Sequence, residues 1–198
     1  MMRKTGFTLV ELMIAVSLVG MIILVITAVD LASRRFVQSS NYEAKVQNSV
    51  SPILEMMVKD IARAYGQSAN PGIKDTSGNS IFTGSQRIEI RQLDSAPATY
   101  SDYTDDAWRA YGFDSTSKEI RRYDTCNSAG NDKCNAWGPA YEVLAKNITV
   151  CNFTRSDITA PVSIGLTALH DAAVEADTNT NPQVTLETSI FPGSSSTH

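Results

Sequence analysis

Histidine is scarce in this chain of 198 residues: His170 and the C-terminal His198 are the only two. The sequence also has no serine in a nucleophile elbow, no glycine-rich phosphate loop and no HExxH segment. His170 and Asp171 stand together at the end of a predicted strand, and we interpret them as a loop edge rather than a catalytic pair. We therefore predict that the chain is not an enzyme, has no catalytic residues and uses no cofactor.

Cysteine is also sparse, with Cys126, Cys134 and Cys151 all in the second half of the chain. These three residues and His170 lack the paired CxxC spacing that is typical of zinc sites, so we predict no metal site. Cys126 and Cys134 flank a loop-like stretch, and an oxidising compartment would keep such a pair as a disulfide. That bond would contribute about 2 to 3 kcal/mol. We predict a Cys126–Cys134 disulfide and a buried free thiol at Cys151.

The chain has no excess of basic charge, since its formal net charge is -4. A surface that binds nucleic acid needs clustered cations, so nucleic acid is not an expected partner. We expect two groups of charged residues to be solvated surface. The first is the strand arginines Arg87, Arg91, Arg121 and Arg122, for which contact with a partner subunit is the alternative and DNA capture a more distant one. The second is Asp102, Asp105 and Asp106, for which calcium binding is the alternative.

Glycine and proline are both absent from residues 21–51, so nothing in that stretch forces a helix to end. The apolar run from Phe7 to Val29 would be roughly 34 Å long as a helix, which is enough to cross a bilayer core. Glu11 lies inside this run, and a carboxylate at mid-membrane costs about 3 kcal/mol. A carboxylate at this cost predicts that Glu11 has a functional role.

The residues around Glu11 resemble a known motif: Gly6, Phe7, Thr8, Leu9, Val10, Glu11 and Leu12 are similar to the prepilin cleavage motif of type IV pilins and type II secretion pseudopilins. The resemblance implies that a prepilin peptidase cuts between Gly6 and Phe7 and that Phe7 is N-methylated. It also implies that Glu11 acts in assembly. Physical chemistry agrees, because the new ammonium at Phe7 could pair with the carboxylate of a neighbouring subunit where water is scarce.

Two other interpretations of the N-terminus stay open. One is a secretory signal, which would be cleaved near Ala28 or Ala32, although its apolar core would be shorter than this run. The other is an ordinary anchor with Glu11 at the headgroups. Basic residues do not decide the orientation, because Arg3 and Lys4 precede the span while Arg34 and Arg35 follow it. The family resemblance places the leader in the cytoplasm. Ala28 occupies the position where many major pilins have a helix-interrupting proline.

Four segments are predicted: a leader (1–6), a transmembrane and assembly helix (7–29), an amphipathic helix (30–65) and a β-rich head (66–198). In the second helical segment we expect a kink or short break near Ser49–Pro52, a solvated pair between Glu55 and Lys59, and a stop at Gly66. One helical stripe should pack on the head, and it consists of Val50, Leu54, Met57, Ile61 and Tyr65.

The head is expected to begin with a long loop, from Gln67 to Ser85, that is rich in glycine, asparagine and serine. Runs with strand patterns follow, two of which form a hairpin. They are Gln86–Leu93, Trp108–Phe113, Lys118–Tyr123, Ile148–Thr154, Val162–Leu169 and Gln183–Ile190. Two glycosylation acceptor patterns, at Asn147 and Asn152, overlap one strand. The predicted fold class is α+β, with one long helix packed by its second half on an antiparallel head.

The order of hairpin, leucine-containing turn and following strand also resembles the J-type minor pseudopilins and W-type minor pilins. We therefore predict a minor subunit of a type IV pilus or type II secretion pseudopilus, acting in a tip or initiation complex. Its expected partners are the prepilin peptidase, other pilin subunits, an inner-membrane assembly platform and membrane lipid. The head would face the periplasm from the bacterial inner membrane and later lie in the filament.

Two further functions remain open from the sequence. One is a tip adhesin that uses the Gln67–Ser85 loop or the loop between Cys126 and Cys134. The other is an anchored exported enzyme or binding protein that acts outside a filament.

Overall fold

The computed structural model describes residues 8–66, 71–92, 107–123, 140–178 and 180–193. The chain begins with a single helix, α1 (Leu9–Ala62), of 54 residues. At 1.5 Å per residue this helix is about 81 Å long. It ends four residues before Gly66, where the Arg63 N–H donates to the Lys59 and Asp60 carbonyls at 3.2 and 3.1 Å. The predicted long helix is confirmed, with an earlier end.

Pro52 lies inside α1, and the helix continues through it. The break that the sequence predicted near Ser49–Pro52 is therefore wrong. A proline within a helix removes one hydrogen bond and costs about 3 kcal/mol or more. Here Val50 and Ile53, on either side of Pro52, are both buried against the head. That packing holds both flanks of the proline in the helical conformation, which offsets its local cost.

The head contains two antiparallel sheets. One has five strands in the order β1-β3-β4-β5-β6, and the other has four in the order β2-β7-β8-β9. The strand bounds are β1 (Ile73–Lys74), β2 (Phe82–Ser85), β3 (Arg87–Gln92), β4 (Ala107–Asp114), β5 (Glu119–Tyr123), β6 (Glu142–Ala145), β7 (Ile148–Arg155), β8 (Val162–Leu169) and β9 (Gln183–Ile190). The α+β class with an antiparallel head is confirmed.

Most of the predicted strands are present within one or two residues of their predicted bounds, and β8 and β9 match at both ends. Three short strands were missed. β1 and β2 lie in the stretch from Gln67 to Ser85 that was predicted to be a loop, and β6 precedes the turn before β7. The loop prediction is wrong for these parts because main-chain pairing with β3 and β7 holds two short segments in extended conformation despite their turn-rich surroundings.

One hydrophobic core joins the C-terminal half of α1 to both sheets. The predicted stripe is largely confirmed, since Val50, Met57, Ile61 and Tyr65 are buried and Leu54 is partly buried against the core. Val46 and Ile53 are buried as well. The predicted pair of Glu55 and Lys59 is present at 2.8 Å with both side chains about two-thirds exposed, so it contributes a few tenths of a kcal/mol at most.

The strand arginines are not the solvated face that the sequence suggested. Arg87 and Arg91 are buried, at 4% and 0% exposure, and Glu89 between them is buried too. Their guanidinium groups lie over aromatic rings, Arg87 over Tyr123 at 5.3 Å and Arg91 over Tyr65 at 5.4 Å. Such cation–π contacts compensate part of the cost of burying a charge.

Arg121 shares this face, because its register places it opposite Gly112 and therefore in line with Arg87. Arg122 points to the opposite face, where it pairs with Glu142 at 2.9 Å. The four arginines therefore do not form one continuous surface.

The predicted position of His170 at the end of a strand is confirmed. His170 directly follows β8, and its ring packs on Tyr42 of α1 with centroids 4.2 Å apart. Its carbonyl accepts a hydrogen bond from Asn147 Nδ2 at 2.9 Å. The residue thus joins the helix to the end of a strand.

The predicted calcium alternative at Asp102, Asp105 and Asp106 lies outside the described residues.

Cys151 is a free, buried thiol on β7, as predicted, with 1% exposure. Burial raises its pKa to about 12, so almost no thiolate is present at neutral pH. The predicted disulfide of Cys126 and Cys134 lies outside the described residues and stays a prediction.

A thiol-labelling experiment tests both cysteine predictions. We expect no label on the oxidised native chain, one label at Cys151 after denaturation without reductant, and three after denaturation with reductant. Peptide mass spectrometry would assign each label. Rapid native labelling of Cys151 would contradict its burial, and three labels without reductant would contradict the disulfide.

Candidate functional site

The N-terminal half of α1 projects away from the head with its apolar side chains exposed. Large apolar residues from Leu9 to Val37 are between 53% and 75% exposed. The helix is long and apolar enough to cross a membrane, and no residue of its most apolar window is buried. A helix that is apolar on all sides is stable only in lipid or against other apolar helices. This segment is therefore the candidate functional site.

Polar side chains inside this segment are hydrogen-bonded within the helix itself. Ser17 Oγ donates to the Met13 carbonyl and Thr27 Oγ1 to the Ile23 carbonyl, each at 2.8 Å. In hydrocarbon an unpaired hydroxyl would cost several kcal/mol, and these bonds remove that penalty. Ser17 and Thr27 are thus compatible with an apolar surrounding on every side.

Glu11 sits in the first turn and forms a capping box with Thr8. Thr8 N–H and Oγ1 both donate to Glu11 Oε2 at 2.9 Å, and Glu11 N–H donates to Thr8 Oγ1 at 3.3 Å. A capping box satisfies amide donors that a helix start otherwise leaves open. Among the described residues, none donates a hydrogen bond to Oε1 of Glu11. The cap therefore fixes the carboxylate at the start of the helix and leaves Oε1 to accept a hydrogen bond from a further donor.

The apolar surface of α1 ends at a pair of charged residues. Arg34 Nε donates to Asp30 Oδ2 at 2.9 Å, one helical turn apart, and both side chains are more than half exposed. Ala28 lies in unbroken helix just before this pair. The end of the transmembrane segment near Val29 stays a prediction.

Of the predicted site residues, the structure describes Glu11 alone. Gly6, Phe7, Cys126 and Cys134 lie outside the described residues, so their predicted roles in cleavage, methylation and disulfide formation stay predictions. In the part of the chain that is described, no three His, Cys, Asp or Glu side chains are grouped closely enough to hold a metal ion. The absence of catalytic and metal residues likewise stays a prediction.

A buried ion pair at the other end of α1 was missed in the sequence. Asp60 is 5% exposed, and its carboxylate accepts two contacts from Arg109 Nη1, at 2.9 and 2.8 Å. The Tyr111 hydroxyl donates to the same carboxylate. Burial and this bond to Asp60 raise the pKa of Tyr111, which therefore stays a neutral donor. The cluster joins the last turns of the helix to β4.

A signal for this pair was present in the sequence. Asp60 follows Met57 by three residues and precedes Ile61, so it lies on the helical stripe that was predicted to be buried. An acid on a buried face needs a cationic or hydrogen-bonding partner. The identity of that partner was not readable, because Arg109 is 49 residues away.

Comparison with known proteins gives a result at the N-terminus. The model of the prokaryotic N-terminal methylation motif matches residues 1–27. No curated protein and no solved structure matches the chain. The matched residues include Gly6, Phe7 and Glu11, as well as most of the exposed apolar helix. The match covers 27 of the 198 residues, so it describes the N-terminal segment and not the head.

Proposed function

We propose that this chain is a minor pilin or pseudopilin, made as a precursor, cut after Gly6 and methylated at Phe7. It then assembles through α1 into a type IV pilus or type II secretion pseudopilus. The observation that carries the proposal is the methylation motif joined to a helix whose apolar surface is left uncovered by the head. Motifs of this kind imply processing by prepilin peptidase and assembly with other pilins.

Before assembly, the exposed apolar residues from Leu9 to Val29 would lie in the inner membrane with the head in the periplasm. Assembly would replace lipid by neighbouring helices, which gives little hydrophobic gain because both surroundings are apolar. Specific pairing is then needed to set the axial position of each subunit. In our proposal this pairing is an ion pair between the Glu11 carboxylate and the Phe7 ammonium of a neighbouring subunit. The assembly platform guides the subunit into place.

The head would serve as a contact domain in a tip or initiation complex rather than as a catalyst. Two sheets and the second half of α1 share one core, which makes the head a rigid body attached to the assembly helix. A rigid head can present fixed surfaces to neighbouring minor subunits.

The test is the identity of the mature N-terminus, measured by mass spectrometry in cells with and without their prepilin peptidase. We expect a peptide that starts at methylated Phe7, absent from the peptidase mutant. A Gly6→Val variant should also remain uncut, because the cleavage motif needs a small residue there. Gly20→Ala is the matched control, since nothing lies within 4 Å of a Cβ added at Gly20, and it should be processed normally. An intact Met1 or a start beyond Ala28 would overturn the proposal.

A further inference from the structure

The outer face of the four-stranded sheet carries two neighbouring rows of polar residues across β7, β8 and β9. Strand register places Asn152, Gly165 and Glu187 side by side in the first row. The second row contains Thr154, Ser163 and Ser189. Asn152 and Glu187 are exposed, and Gly165 lies between them on the central of these three strands.

Gly165 has no structural need to be glycine. Its φ is outside the left-handed region, and nothing lies within 4 Å of a Cβ built on it. Glycine in the interior of a strand destabilises the fold relative to alanine, because it loses more conformational freedom and packs no side chain. A strand glycine of this kind is typical of a place where a ligand or another backbone approaches closely.

An open depression of about 590 Å³ lies on this face, and the bare backbone at Gly165 forms part of its floor. Asn152 and Glu187 lie on its two sides. Their backbones are two strand spacings apart, which is about 9.5 Å. The depression is lined by polar groups, and the one apolar side chain beside it, Ile164, is 1% exposed and belongs to the core. A six-membered sugar ring fits within this width.

The hydroxyl groups of the second row are held in place by the protein. Ser163 Oγ and Ser189 Oγ form a hydrogen bond of 2.8 Å, and Thr154 Oγ1 accepts the Gly84 N–H at 3.2 Å. Side chains that are already oriented lose less freedom when a ligand binds. The row thus offers preorganised donors and acceptors beside the carboxylate and the amide.

We propose that this depression binds a neutral or amino-substituted saccharide. The Glu187 carboxylate can accept two hydroxyls or an ammonium, and the Asn152 amide can both donate and accept. Glu187 is the one charged residue that lines the depression within the described part of the chain, so anionic sugars are disfavoured. Protein docking is also disfavoured, since the cores of protein interfaces are apolar and rich in aromatic residues. The inference does not depend on filament assembly, because the site lies within one head.

The test uses the full chain in a detergent that has no sugar headgroup, applied to a glycan array. The array carries neutral, amino-substituted and acidic glycans, with host-cell glycans and bacterial polysaccharides printed separately to distinguish the two sources. We expect binding to neutral or amino-substituted glycans and none to the acidic ones. Calorimetry with the best-bound glycan would then give dissociation constants for the variants.

Three variants separate a binding site from a structural glycine. Gly165→Val should weaken binding about tenfold or more while the melting temperature stays equal or rises, because valine projects into the depression and favours a strand. Glu187→Gln should weaken binding about tenfold through loss of the charge. Thr185→Ala, on the same strand face but outside the depression, is the control and should leave binding unchanged.

Several results would overturn the proposal. They are the absence of glycan binding by the wild-type chain, preference for acidic glycans, and undiminished binding by Gly165→Val. A clear fall in the melting temperature of Gly165→Val would also do so, since it would show that glycine has a packing role at this position.

Discussion

Replacing Asp60 by alanine is expected to lower the free energy of unfolding of the head by about 1 to 3 kcal/mol. The reason is that Arg109 and Tyr111 would keep their positions beside the helix but lose the carboxylate that both contact. The buried Tyr111 hydroxyl keeps its desolvation cost without this bond, whereas the Arg109 side chain is about 31% exposed and stays partly solvated. Chemical denaturation of the full chain in detergent, followed by tryptophan fluorescence, to which the buried Trp108 contributes, would measure the change.

Glu55→Ala is the matched control for this experiment. Glu55 lies on the same helix and also forms an ion pair, with Lys59, but both of those side chains are exposed. Its loss should cost at most about 0.5 kcal/mol. A double-mutant cycle with Arg109→Met should show that Asp60→Ala costs clearly less when the cation is already absent. Equal costs for Asp60→Ala and Glu55→Ala would contradict the role assigned to the buried pair.

The second large effect is expected at Glu11, where Glu11→Gln should reduce incorporation into filaments about a hundredfold or more. Glutamine can still form the capping box with Thr8, so the helix start should be retained. What the variant removes is the negative charge, and an ammonium left unpaired among apolar helices costs about 3 to 5 kcal/mol. The measurement is the amount of chain in filaments sheared from cells, relative to the amount in the membrane fraction.

Two comparisons separate the charge of Glu11 from its cap. Thr8→Val breaks the capping box but keeps the charge, and its cost should be near 1 kcal/mol. Asp30→Asn removes another carboxylate from the same helix, one that pairs with Arg34 on an exposed surface, and should leave assembly unchanged. Normal incorporation of Glu11→Gln would contradict the proposed pairing, and a loss with Thr8→Val as large as with Glu11→Gln would reduce the role of Glu11 to helix capping.

The regular elements of this fold could be predicted from the sequence because their signals are local. The apolar run and the lack of glycine and proline from 21 to 51 predict α1, and alternating apolar residues predict β8 and β9 at both ends. The burial of Met57 and Ile61 follows from their spacing in the same way. In the candidate site, the motif around Glu11 is also contained in a few consecutive residues, which is why it could be found without the structure.

The features that were missed depend on partners distant in the chain. β1 and β2 are short and surrounded by turn residues, so their pairing with β3 and β7 decides their conformation. Arg87 and Arg91 alternate with apolar residues, which predicts a solvated face, and only the packed structure shows that this second face is covered as well. The Asp60 pair was missed for the same reason, since nothing near Asp60 in the sequence identifies Arg109.

The continuous helix also determines how the head bears a mechanical load. A pull applied to the apolar half of α1 would enter the head along the helix axis and reach Val46 first, then Val50, Ile53 and Met57, and Asp60 near the far end. These contacts face two sheets and would resist sliding together, as a shear joint does, rather than peel apart in sequence. The pairing of Asp60 with Arg109 would share that load with the apolar contacts instead of being reached after they have failed.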